Sequence, residues 1–208
     1  MLAGMFKLLH VDEALIAVDK PEGLLAVPGR GVAGLINLTA QVQAEYADAL
    51  VVHRLDMATS GLMLFGRGAA AQRQLSILFA ERQVRKRYVA LVQGDVQGDA
   101  GTIDAPLAAD WPNRPRQMVA ALGGKPALTH WRVLARLGHA TRLELAPVTG
   151  RSHQLRVHLQ SIGHPICGDA LYAQAPQPGG RLLLHASELS LPHPARGHSL
   201  VLHCPAPF

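Results

Sequence analysis

The chain has little that would place it in a membrane, in an oxidising compartment or around a metal ion. No run approaches the ~18 consecutive apolar residues that a spanning helix needs. Asp12 and Glu13 interrupt the only apolar stretch near the N-terminus, so no signal peptide is expected. There are only two cysteines, Cys167 and Cys204, far apart and without a C-x-x-C spacing. Two free thiols in a cytosolic protein are the simplest expectation. Histidines are numerous, yet His53, His153, His158, His164, His185, His193, His198 and His203 include no i,i+4 pair and no H-E-x-x-H. Neutral structural histidines are therefore expected, and no metal site. Neither a G-x-G-x-x-G fingerprint nor a P-loop occurs, and Ser60 lacks a G-x-S-x-G context. Internal repeats, heptads and low-complexity tracts are absent as well.

Charge is also sparse. Charged residues make up 17% of the 208 positions against 49% hydrophobic, which excludes a disordered chain and supplies enough apolar material for one good core. The balance is basic, 20 Lys and Arg against 15 acids, giving a net charge of +5 and favouring a polyanionic partner. Lysine stands only at positions 7, 20, 86 and 125, so the basic side is mostly arginine. The guanidinium fork suits phosphates and bases, but a high-GC codon bias leaves the same skew, and both readings stay open.

The most informative stretch is His53-Arg54-Leu55-Asp56-Met57-Ala58-Thr59-Ser60-Gly61, enclosed by the apolar runs Leu50–Val52 and Leu62–Phe65. Charges next to two buried strands are costly unless paired or functional. In an extended segment Arg54 and Asp56 share a face. Thr59, Ser60 and Gly61 offer short hydroxyls and a flexible turn near the acid. Taken alone, the motif reads equally well as a structural Arg–Asp pair.

Around it, strands are expected at 15–18, 24–27, 89–92, 127–136, 141–146, 182–184, 189–191 and 200–202. Helices are expected at 35–48 and 69–83, and from about 149 to Ile162 with Ser152 as N-cap and Gly163 past the end. The last helix places Leu155, Leu159 and Ile162 on one stripe, with Arg156 at its edge. Arg85-Lys86-Arg87-Tyr88 could meet phosphates beside a stacking ring, or could be a solvated strand entry. Residues 94–126, rich in Gly, Pro and Asp, read as one long irregular excursion; its Trp111 and arginines either contact nucleic acid or anchor the loop. Many strands with three helices argue for an α+β fold, a single domain over 1–208 built on a mixed, mostly antiparallel sheet.

Together these segments resemble the RluA family of RNA pseudouridine synthases. The resemblance rests on His53-Arg54-Leu55-Asp56-x-x-Thr59-Ser60-Gly61, on Arg87-Tyr88-Val89-Ala90, and on Gly150-Arg151-Ser152-His153-Gln154-Leu155-Arg156-Val157-His158-Leu159. Lys20-Pro21-x-Gly23, the 163–169 segment and Leu182-Leu183-Leu184-His185-Ala186 add to it. It spans the chain from about residue 12 onward. Trp111-Pro112-Asn113-Arg114-Pro115 is similar to compact members that act on both ribosomal and transfer RNA and lack an S4 domain.

The resemblance implies a cytoplasmic, monomeric enzyme that isomerises uridine to pseudouridine in structured RNA, without cofactor or metal. Its targets would be a tRNA anticodon stem-loop and a 23S rRNA hairpin loop, or alternatively a different single rRNA or tRNA site. Asp56 would be catalytic; Arg54 would fill the gap left by the flipped base, Tyr88 pack against that base, and Arg156 pair with Asp56. Arg151, Arg85, Lys86 and Arg87 would hold phosphates. Two rival classes are a non-catalytic RNA-binding module and a small-glycoside hydrolase. The intact Asp56, Tyr88 and Arg156 set opposes the first, and the absent second carboxylate opposes the other.

Overall fold

The computed structural model describes residues 6–29, 31–173 and 180–208. The Pro/Gly loop expected at 176–180 lies outside them except for Gly180. The chain forms two compact units. One runs to Lys86 and resumes over His185–Pro207; the other is Arg87–Leu184 with Phe208.

In the first unit, β1 (Lys7–Val11) turns at Asp12 into β2 (Leu15–Lys20), an antiparallel pair. Then α1 (Leu38–Glu45), β3 (Ala49–Val51), β4 (Ser60–Arg67) and α2 (Gly68–Ala80) follow. β5 (Arg85–Gln93) carries the chain into the second unit. There, β6 (Ala100–Asp104), β9 (Leu128–Arg136) and β10 (Ala140–Pro147) make an antiparallel array in the order β5-β10-β9-β6, while β7 (Leu107–Ala109) and β8 (Gln117–Val119) form a separate ribbon. α3 (Gln154–Ser161) follows. The chain returns through β11 (Leu184–Pro192) and β12 (Ser199–His203). In the first unit the order is β1-β2-β4-β11, with β3 on β4 and β12 on β11. The β4–β11 pairing is parallel, so the sheet is mixed and the fold α+β.

β4 is buried along nearly its whole length, as an apolar run rather than an alternating one should be. Ile16, Val18, Leu38, Val42, Met63 and Phe65 form the core beneath it, each worth about 1.5–3 kcal/mol of burial.

Several expected boundaries move, for local reasons. Residues 24–27 are no strand, although Leu24 and Ala26 are buried. Lys20, Thr39 and the first amides of α1 take the carbonyls of Leu24, Leu25 and Ala26, leaving only an isolated bridge from Leu25 to Asn37. α1 begins at Leu38 because the side chain of Asn37 accepts the Ala40 N–H, and Leu35 stays exposed. Ser152 does not cap α3. The cap position is His153 in the left-handed region, and the side chain of Gln154 instead accepts the Arg151 N–H and the Thr149 hydroxyl. Residues 154–159 of α3 are all buried, while Ile162 is exposed, so α3 has no single apolar stripe. The 94–126 excursion contains three short strands, and β11 takes in the strand expected at 189–191 together with Leu184, while Leu182 and Leu183 lie outside any strand. β6 closes on β9 at Gly101, where a Cβ would lie 2.5 Å from the Trp131 ring.

Candidate active site

Asp56 sits on a turn between two fixed ends. On the entering side, His53 Nε2 accepts the Leu64 N–H at 2.9 Å and its ring stacks on Phe79 at 4.6 Å. Burial, with the nearby Lys86 charge, pushes the His53 pKa down to about 3, so it stays a neutral acceptor. On the leaving side, Thr59 N–H bonds the Asp56 carbonyl and closes the turn. Asp56 is half-buried and Arg54 exposed, so Arg54 does not share the core-side environment expected for the pair.

The turn is pinned from below by Lys20. This lysine is fully buried at the end of β2 and donates to the carbonyls of Pro21 (2.7 Å), Leu24 (2.8 Å) and Met57 (3.1 Å). The Met57 carbonyl also accepts the Gly23 N–H at 2.9 Å, and Gly23 holds φ +74°, a left-handed conformation that suits glycine. Two donors thus fix the residue next to Asp56. Burial draws the Lys20 pKa down to about 8, against the attraction of Asp56, Glu22 and Asp19. Lys20 therefore supplies positive charge beside Asp56 as well as position. The sequence reading quoted Lys20 in a motif but gave it no role.

The hydroxyl of Ser60 is tied to the neighbouring strand. It pairs with His185 Nδ1 at 2.9 Å, and His185 Nε2 meets the Cys204 carbonyl at 3.0 Å. A carbonyl only accepts, so Nε2 carries the proton and Nδ1 accepts from Ser60. Gly61 is no flexible turn: it lies within β4 at φ +109°, and a Cβ there would be 2.4 Å from the Ala186 carbonyl oxygen. His185 and Ala186 thus fix the strand that leaves the acid.

Among the described residues, Asp19, His185 and Cys204 are the one group whose ligand atoms are close enough to hold a metal. Both ring nitrogens of His185 are engaged. The Cys204 thiol is pushed up to about 12 by burial and by Asp19. In this structure the three residues form a hydrogen-bonded cluster.

In the second unit, Tyr88 is half-buried on β5 opposite Leu145 of β10. Arg87 is ion-paired to Glu144, which Arg132 also holds. At the end of the first unit Lys86 is half-buried, its pKa lowered by burial and by Arg82, and Arg85 is exposed. Arg151 is exposed, its Nε donating to the Pro126 carbonyl at 3.1 Å.

Arg156 is 4% exposed, and its Nε and one terminal nitrogen grip both oxygens of buried Asp169 at 2.8 and 2.7 Å. Asp169 also caps the Leu171 and Tyr172 amides. This is a fork-to-fork pair with its remaining acceptor capacity used, the arrangement in which a buried ion pair is tolerated. Asp169 is a partner of Arg156 that the sequence did not reveal. The buried Tyr172 ring lies between the guanidiniums of Arg156 (5.0 Å) and Arg116 (5.4 Å). Its hydroxyl accepts the Gln117 N–H and shares a hydrogen bond with His153 Nδ1, both at 2.7 Å.

Residues 14–161 match the family described as RNA pseudouridylate synthase. The dual-specificity RNA pseudouridine synthase RluA of Escherichia coli K12 is 46% identical over 204 residues, covering 97% of this chain and 93% of that protein. Its counterpart in Yersinia pestis is 45% identical, covering 96% and 98%. The solved structure of human RNA pseudouridylate synthase domain containing 1 superimposes with a TM-score of 0.85 at 26% identity, over 99% of this chain and 85% of that one. Human RNA pseudouridylate synthase domain containing 4 gives 0.80 at 28%, over 97% and 88%.

Proposed function

The chain belongs to the RNA pseudouridylate synthase family and is an enzyme that isomerises uridine in RNA, and from that premise we propose that it modifies two RNAs, a tRNA anticodon stem-loop and a 23S rRNA hairpin loop. The dual-specificity relatives, matched over nearly their whole length, support this reading. We place the enzyme in the cytoplasm; no helix is long and apolar enough to cross a membrane among the described residues.

The reaction breaks the bond from ribose C1′ to uracil N1 and forms one from C1′ to C5; the C5 proton leaves to solvent and N1 takes one up. Substrate and product have the same composition, so the step calls for no oxidant or group donor. It requires an acid–base or nucleophilic carboxylate beside an extruded uridine, and extrusion costs a few kcal/mol. We assign that carboxylate to Asp56. The observation that carries the assignment is the half-buried acid on a turn whose next carbonyl is held by both Lys20 and Gly23. Such fixation favours a reacting group over a mobile surface charge. We assign Tyr88 to the flipped base, Arg54 to the gap it leaves, and Arg156 and Arg151 to substrate binding, Arg156 with its guanidinium oriented by Asp169. Asp56→Asn should abolish tritium release from [5-³H]uridine-labelled RNA while RNA binding and the melting temperature are kept. Turnover near wild type in that variant removes Asp56 from the chemistry.

A further inference from the structure

The β7–β8 ribbon ends in a turn that displays an indole. Trp111 is 65% exposed, the one aromatic side chain among the exposed large hydrophobics of the described residues. An anchoring tryptophan would be buried; this one is not, and the turn is closed without it. Asn113 donates its backbone N–H to the Asp110 carbonyl and its side-chain amide to both Asp110 carboxylate oxygens. Arg116 N–H reaches the Asn113 carbonyl, and Asp110 N–H the Arg116 carbonyl. Below the turn, the Gln117 N–H is held by the Tyr172 hydroxyl. The ring is nevertheless fixed in orientation, because the Arg114 guanidinium lies 3.7 Å from its centroid.

A guanidinium on one face of a ring this exposed leaves the other face to solvent. The result is a flat aromatic surface backed by a positive charge, on a turn where Arg114 and Arg116 outweigh Asp110. Aromatic faces of this kind stack nucleobases irrespective of sequence, and a guanidinium at the ring adds a phosphate contact. We infer that Trp111 and Arg114 form a stacking site for an unpaired nucleotide of the RNA substrate, distinct from the uridine that reacts. The inference rests on the chain's action on RNA and adds to it a binding element that sets affinity.

The test uses the full chain and a fluorescein-labelled transcript of a tRNA anticodon stem-loop, with binding read by anisotropy. Trp111→Ala should weaken Kd by about 5- to 150-fold, the range for one lost base–aromatic stack, and Trp111→Phe should retain most of the affinity. Arg114→Ala should make the dependence of log K on log salt shallower by about 0.7–0.9, one phosphate contact. Leu122→Ala removes a side chain that is 93% exposed near the opposite end of β8 and should change Kd by no more than about twofold. Unlabelled RNA should quench tryptophan emission in the wild type, and Trp111→Phe should lose that quenching. The proposal is overturned if Trp111→Ala binds as tightly as wild type, or if Leu122→Ala costs as much. Should wild-type protein neither bind RNA nor release tritium from uridine-labelled transcripts, the enzymatic reading itself falls, an outcome separable from both of these.

Discussion

Lys20 shows how one buried side chain can serve position and charge together. Lys20→Met keeps the length of the side chain but takes the Lys20 donor from the carbonyls of Pro21 and Leu24, each a cost of about 1–3 kcal/mol where water cannot replace it, and leaves the Met57 carbonyl with the Gly23 N–H alone. The Asp56 turn should loosen, and turnover should fall about 100-fold, as for a small misplacement of a reacting group. The linkage has a definite sign. The folded pKa is about 8 against 10.5 for the free side chain, so between those values the unfolded chain binds more protons. The native state should therefore gain stability as pH rises from about 8 to 10.5, while below 8 it carries the cost of a buried ammonium. Urea unfolding at stepped pH should show that rise in the wild type and lose it in Lys20→Met; an unchanged profile refutes the assignment. Tyr88 is tested by a pair of variants. If its ring packs on the base, Tyr88→Leu should raise KM by an amount corresponding to about 1–3 kcal/mol and Tyr88→Phe should not. Loss of kcat in Tyr88→Phe alone would assign the role to the hydroxyl.

At the scale of elements, the parallel β4–β11 contact is the tightest backbone approach near the catalytic turn. At Gly61 a methyl group would meet the Ala186 carbonyl at 2.4 Å, on a residue with φ +109°. Gly61→Ala should cost about 2–3 kcal/mol and lower Tm by roughly 4–12 °C in a calorimetric scan. Because Ser60 is held to His185 one residue earlier, activity should fall with it. A Tm equal to wild type would show that the strands can separate freely there. Such contacts mark the boundary of what sequence can tell. β4 and α2 were legible because an apolar run and a 3.6-residue period are local signals. β6 was not: it exists because its residues pair with β9, more than twenty positions away, and its own Gly and Asp speak against a strand. The start of α3 falls one residue later than a Ser152 cap implies, at a left-handed His153 with no side-chain cap, while Gln154 ties back to Thr149 and Arg151. Among site residues, Asp56 stood out as a charge between apolar runs. Lys20 did not, since a lysine before proline reads as a solvated turn, and Asp169, though within the 163–169 segment, showed no role until the chain brought it against Arg156.

For the whole molecule, the consequence of the proposed dual specificity is measurable in cells. Strains lacking this chain should lose one pseudouridine from a tRNA anticodon stem-loop and one from 23S rRNA, and Asp56→Asn should restore neither. Loss from a single RNA would reduce the proposal to one target. With a net charge of +5 and recognition through phosphates, KM should climb with salt, by about 0.7–0.9 in log–log slope for each contact. A further property of the molecule follows from its two sulfurs. Cys167 and Cys204, one in each unit, both have thiols pushed upward by burial, Cys204 to about 12. Alkylating reagents and peroxide act on thiolates, so at neutral pH both native cysteines should react more slowly than a fully exposed thiol. A maleimide dye on Leu122→Cys would sit at one known place on the β7–β8 hairpin, with both native cysteines left as they are, and would report on that hairpin as RNA arrives.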